Sequence, residues 1–159
     1  MLFTTPQRNL VFRALDEAEE RTADYYCIPP FRWEQMPYDL LTQEDREWEP
    51  LPDPTLARVR RLQRTDRNRP FDFCRIELND RGILTAAERE NLMRDLYPFL
   101  VYILTHEMVH VVRLSSILGA HAEQMPPCDT SEETRVTAIS RKILSTSSDF
   151  RPELERFGT

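Results

Sequence analysis

The chain has 159 residues, 40% of them hydrophobic and 30% charged, which suits one domain of ordinary size with a modest core. Its net charge of −6 gives no general attraction to phosphate backbones or anionic lipid, so neither nucleic acid nor a membrane is an expected partner. Glycine occurs only at 82, 119 and 158, too sparsely for a glycine-rich phosphate-binding loop, which removes nucleotide chemistry of the common kinds.

Taken in chain order, Thr5-Pro6 is a helix start, and Leu10, Val11, Ala14, Leu15 and Ala18 follow at helical spacing, so a first amphipathic helix is expected over about 6–24. The N-terminus lacks the charged start, apolar run and small-residue cleavage site of a secretory signal. Cys27, Cys74 and Cys128 are odd in number and widely spaced, with no Cys-x-x-Cys pair; reduced thiols and a cytoplasmic location are expected. Between residues 28 and 55 fall six of the twelve prolines, both tryptophans (Trp33 and Trp48) and many acids. This reads as an extended arm, draped over the domain or over its cleft.

Arg58, Arg60, Arg61, Arg64, Arg67 and Arg69 then cluster around a three-residue beat of Leu56, Val59 and Leu62, the pattern of a short Arg-rich helix with a solvated face. Residues 73–79 alternate, with Cys74, Ile76 and Leu78 on one side and Arg75, Glu77 and Asn79 on the other, and form the clearest strand. Asn79-Asp80-Arg81-Gly82 has turn chemistry, and Thr85 with Glu88 makes a capping box for a helix to about Leu96. The next helix, about 98–118 with Gly119 as its left-handed terminus, is apolar on nearly every side and therefore central. After Pro126, Pro127 and Cys128, a last helix is expected over about 131–146, followed by a frayed tail.

The central helix carries His106-Glu107-Met108-Val109-His110. Two histidines four apart on a helix leave the same face, and together they can hold one zinc ion while Glu107 takes a proton from an attacking water. PFLVYIL (98–104) is the longest apolar stretch, and the polar continuation through His106, Glu107, His110 and Arg113 makes it unsuited to a membrane span. A catalytic zinc site needs a third protein ligand and one open position. Arg113 and Ser116 stand where the metzincin pattern has glycine and histidine, which excludes that class. Glu132 and Glu133, opening the last helix, are the leading candidates. Capping logic leaves them level: with Asp129 as N-cap, Glu132 caps and Glu133 is free for metal, and with Thr130 as N-cap the roles tend to reverse. His121 is a possible assistant to the chemistry; Cys128 and Cys27 are weaker alternatives as ligands.

The run EETRVTAISRKIL (132–144) after HEMVH resembles the zincin metallopeptidases of the glutamate-ligand type, in particular the ImmA/IrrE-like group. On that resemblance Glu133 matches the metal-binding glutamate, Val136 an apolar position and Ile143-Leu144 an apolar pair, while Thr137 stands in place of an asparagine and Val109 in place of a common glycine. The resemblance covers roughly residues 73–146. It implies an α+β zincin-like domain: a small twisted sheet whose edge strand, Ile76 to Asn79, faces the substrate, a buried motif helix and a C-terminal helix. The activity implied is zinc-dependent hydrolysis of a peptide bond in a peptide or protein substrate, with His106, His110 and Glu133 on Zn2+ and Glu107 and His121 in catalysis. The domain limits expected are 1–70 for helix, Pro/Trp-rich arm and Arg-rich helix, 71–148 for the metal-binding core and 149–159 for the tail. A non-catalytic zincin-like module that binds a partner through its first 70 residues is the alternative.

Overall fold

A computed structural model describes residues 2–45, 51, 55–66, 69–115, 130–146 and 150. Among these the fold is α+β, with five helices and a three-stranded mixed sheet. Helix α1 (Thr5–Tyr26) starts at a capping box: the Gln7 N–H donates to Thr4 Oγ1 (3.3 Å) and the Thr4 N–H to Gln7 Oε1 (2.9 Å), with Pro6 in the first turn. Its buried residues, Val11, Ala14, Ala18 and Thr22, recur at three and four and lie on the central helix. A short helix α2 (Pro30–Trp33) and strand β1 (Tyr38–Leu41) follow, both inside the segment expected to be an extended arm.

Strands β2 (Ala57–Asp66) and β3 (Arg69–Leu78) are antiparallel, and β1 pairs with β3 in parallel, giving the order β1-β3-β2. The expected Arg-rich helix is therefore a strand. A spacing of three apolar residues fits a helix, but Arg58 and Arg60, two apart, both reach Glu77 across the sheet (2.9 and 3.7 Å), and residues i and i+2 share a face only in a strand. Nor is Ile76 to Asn79 an edge. Cys74–Glu77 is paired with Tyr38–Leu41 on one side and with Arg58–Arg61 on the other, so β3 is the middle strand. Residue 70, where the sequence divides arm from core, lies within β3.

Helix α3 (Asp80–Arg89) begins five residues before the expected capping box. Asn79 is its N-cap, accepting from the Gly82 N–H (3.0 Å), so the residues that read as a turn are the helix start. A Cβ at Gly82 would sit 2.6 Å from Asn79 Nδ2, and only glycine leaves room for this cap. Asn79 also holds the approach to β2: its N–H donates to Leu56 O (2.8 Å) and its Nδ2 to Thr55 O (2.8 Å). Asp80, 1% exposed, accepts from the Phe3 N–H (3.2 Å) and the Gln43 N–H (2.9 Å), joining three distant parts of the chain.

A 3-10 turn (Met93–Asp95) leads into helix α4 (Leu96–Leu114), with Pro98 in its first turn, where a missing N–H costs nothing. The helix ends at Leu114 because Ser115 is extended (φ −81°, ψ 158°); Gly119, the expected terminus, lies outside the described residues. Fourteen of the residues of α4 are buried, from Leu96 to Val112, which makes it the centre of the core expected from its composition. Helix α5 (Thr130–Leu144) packs against it, burying Val136, Ser140, Ile143 and Leu144. No described helix is long and apolar enough to cross a membrane.

Candidate metal centre

Helix α4 presents His106 and His110 four residues apart, hence on one face, and α5 brings Glu133 to that face from its first turn. His106 Nε2 and Glu133 Oε2 lie 3.1 Å apart, and His110 Nε2 and Glu133 Oε1 2.9 Å, so one carboxylate spans both imidazoles. One ligand atom from each of the three side chains falls within 4.8 Å of the others. Two imidazoles and a carboxylate are a donor set suited to zinc with a fourth position open to solvent or substrate. His110 is buried, and the Glu133 side chain is 45% exposed on the open side. The residues present thus fit a bound divalent metal.

The electrostatics are those of a crowded, partly dry site. Burial opposes the charged form of His106, yet its contact with Glu133 and the nearby charges of Glu107 and Glu133 outweigh this and raise its pKa. Burial, with His106 beside it, lowers the pKa of His110. The contact with His106 leads in holding Glu133 below the usual carboxylate range. Glu107 is the exception. Burial pushes its carboxyl up to about 7, with His106 opposing the shift and Glu133 adding to it. It is 6% exposed, and among the described residues no arginine or lysine pairs with it.

Glu107 opens onto a cleft of about 380 Å³, lined by Thr55, Leu56, Ala57, Tyr102, Ile103, His106, Glu133 and Thr137. Composition and motifs alone do not point to the wall made by Thr55–Ala57, because its position depends on the Asn79 bonds described above. Tyr102 had a legible signal: it is four residues before His106 and so shares its helix face. The structure brings together His106, His110, Glu133 and Glu107, and places Thr137 on the cleft wall beside them. The two adjacent glutamates have different partners. Glu133 meets the histidines, whereas Glu132 takes a two-pronged bond from Arg113, Nε to Oε1 at 2.5 Å and Nη2 to Oε2 at 3.1 Å. Cys27 is exposed at the end of α1, with a left-handed backbone (φ 55°), and is not part of the cluster. His121, Cys128 and Asp129 lie outside the described residues. Compared with protein-family models, curated proteins and solved structures, the chain matches none.

Proposed function

We propose that the protein is a zinc-dependent peptidase with a zincin-like domain, hydrolysing a peptide bond at the floor of the cleft. The observation that carries this reading is the convergence of His106, His110 and Glu133 beside the buried Glu107, which has no cationic partner among the described residues. His106, His110 and Glu133 would hold the ion, which when bound supplies a Lewis acid that makes water more acidic and polarises a carbonyl. Glu107, lining the cleft beside His106 and Glu133, is the general base, taking a proton from the attacking water and returning it to the departing amine nitrogen. A C–O bond forms as the C–N bond breaks, and the water's protons end on the amine and on solvent.

A peptide is favoured over a small substrate by the setting of the cleft. Its wall continues from Thr55–Ala57 into β2, and among the described residues no strand pairs with the far side of β2. An extended peptide would add there by main-chain hydrogen bonds, rather than at Ile76 to Asn79. Hydrolysis of a peptide library by wild-type and Glu107→Gln protein, each with measured zinc content, tests the reading. Zinc-dependent cleavage lost in Glu107→Gln is the expected result. Zinc binding without cleavage in either form would favour a non-catalytic metal-binding module, and failure of the wild type to retain any divalent metal would end both readings.

A further inference from the structure

Along α4, His106, His110 and Arg113 occupy positions i, i+4 and i+7, a single stripe turned toward α5. Along α5, Glu132 and Glu133 are neighbours, so their side chains leave the helix about 100° apart and only one of them can face a given point. The stripe sorts them: the histidines take Glu133, and Arg113 takes Glu132. The side chains of Arg113 and Glu132 are 11% and 13% exposed, and a planar guanidinium on both oxygens of a carboxylate, shielded from water, is among the stronger and most directional polar contacts. Tyr26, at the end of α1, is close enough for the Arg113 charge to oppose the upward push of burial on its hydroxyl. The fork therefore sits among three helices rather than at the surface.

We infer that Arg113 is a positioning residue for the third metal ligand: by gripping Glu132 it fixes the rotation of α5, so that Glu133 and not its neighbour faces His106 and His110. The inference rests on the metal reading above. A rotation of α5 by one residue would offer Glu132 to the histidines and turn Glu133 away; the fork costs that alternative its charge pairing. Because the grip involves no ligand atom, it holds Glu133 in place before an ion arrives. Site-orienting groups of this kind change metal affinity by about 10–100-fold in general.

A double-mutant cycle on zinc affinity tests this, with Arg113→Met, Glu133→Gln and both together titrated against a chromophoric chelator at fixed pH. If Arg113 acts through Glu133, Arg113→Met weakens binding by about 10–100-fold in the wild-type background and has little further effect once Glu133 is Gln. Arg113→Lys, which keeps the charge and loses the fork, recovers only part of the loss. Cobalt substituted for zinc adds a spectroscopic readout: the visible spectrum of Arg113→Met would shift toward that of Glu133→Gln. Equal loss in both backgrounds, or none in either, overturns the positioning role. Absence of metal binding by the wild type overturns the metal reading itself, a different outcome from the first two. Should Arg113→Met fail to fold, Glu132→Gln carries the same cycle, since it keeps the side chain's size but offers Arg113 one acceptor instead of two and removes the charge.

Discussion

Among the described residues two glutamates are nearly hidden from solvent, and they are treated in opposite ways. Glu77, on the outer face of the sheet, is 2% exposed and lies between Arg58 and Arg60, at 2.9 and 3.7 Å. Glu107, on the central helix, is 6% exposed and has no such partner among the described residues; burial pushes it up to about 7. A buried carboxylate next to guanidinium groups is part of the architecture, and removing one member leaves the others uncompensated. One with no cation beside it among the described residues, lining a cleft with His106, keeps its proton to higher pH than an ordinary carboxyl. The difference separates a carboxylate tied into the sheet by charge from one whose environment favours its neutral form.

The comparison can be broken by experiment, beginning with the largest effect. Glu107→Gln is expected to lower peptide hydrolysis by about 10²–10⁴-fold, the usual worth of a general base, while zinc content is unchanged; loss of zinc along with activity would make Glu107 a structural group like Glu77. Glu77→Ala is expected to do the reverse. Urea unfolding should show a loss of about 1–3 kcal/mol, below the figure for fully buried pairs because Arg58 and Arg60 are 38% and 44% exposed, with zinc affinity untouched.

The two carboxylates should also differ in their dependence on pH. Glu107 has a folded pKa of about 7 against an ordinary 4.5, so the stability contributed by its protonated form is fully present below pH 4.5 and is lost as pH rises through about 7. Metal-free protein should therefore lose up to a few kcal/mol across that window, as read by denaturant midpoints, and Glu107→Gln should flatten the profile. Glu133 works in the other direction, since its depressed pKa contributes stability that is lost only as pH falls below the ordinary carboxylate range. The smallest effect distinguishes the two arginines. Arg58→Ala should cost up to about 1 kcal/mol and Arg60→Ala less, because the longer contact belongs to the more exposed side chain.

The candidate site was more legible in the sequence than the sheet that borders it. His106, Glu107 and His110 lie on one uninterrupted helix, where spacing alone fixes the relative direction of side chains. The third ligand was narrowed to Glu132 or Glu133 by position, and the family resemblance pointed to Glu133; the grip of Arg113 on Glu132 is a contact across 19 residues that spacing does not reveal. The alternation from Cys74 to Leu78 identified β3 as a strand but not its neighbours, and so left open whether it was central or at an edge. Strand β2 looks helical in sequence because Leu56, Val59 and Leu62 fit a helical beat, while what marks a strand, Glu77 reached by both Arg58 and Arg60, is non-local. Strand β1 was hidden among prolines, being only four residues long and parallel to a partner 36 positions away. Asn79 read as a turn because the same short polar side chain serves turns and helix caps.

The N-terminal region also proved less separable than its composition suggests. Val11, Ala14 and Ala18 of α1 belong to the same buried cluster as Phe99, Val109 and Leu144, so deleting residues 1–54 would remove part of the core along with β1.

Asp80 sets a clock on the opening of the whole assembly. Its carboxylate receives the Phe3 amide from near one end of the chain and the Gln43 amide from just beyond β1, while its own backbone starts α3. Amides so near a terminus ordinarily exchange with deuterium quickly, by local fraying. Here the two protons go to the two oxygens of one buried carboxylate, Phe3 to Oδ2 and Gln43 to Oδ1, so that displacement of Asp80 releases both at once. Matched slow exchange at Phe3 and Gln43 would therefore report the cooperative separation of the N-terminus, the end of β1 and the start of α3.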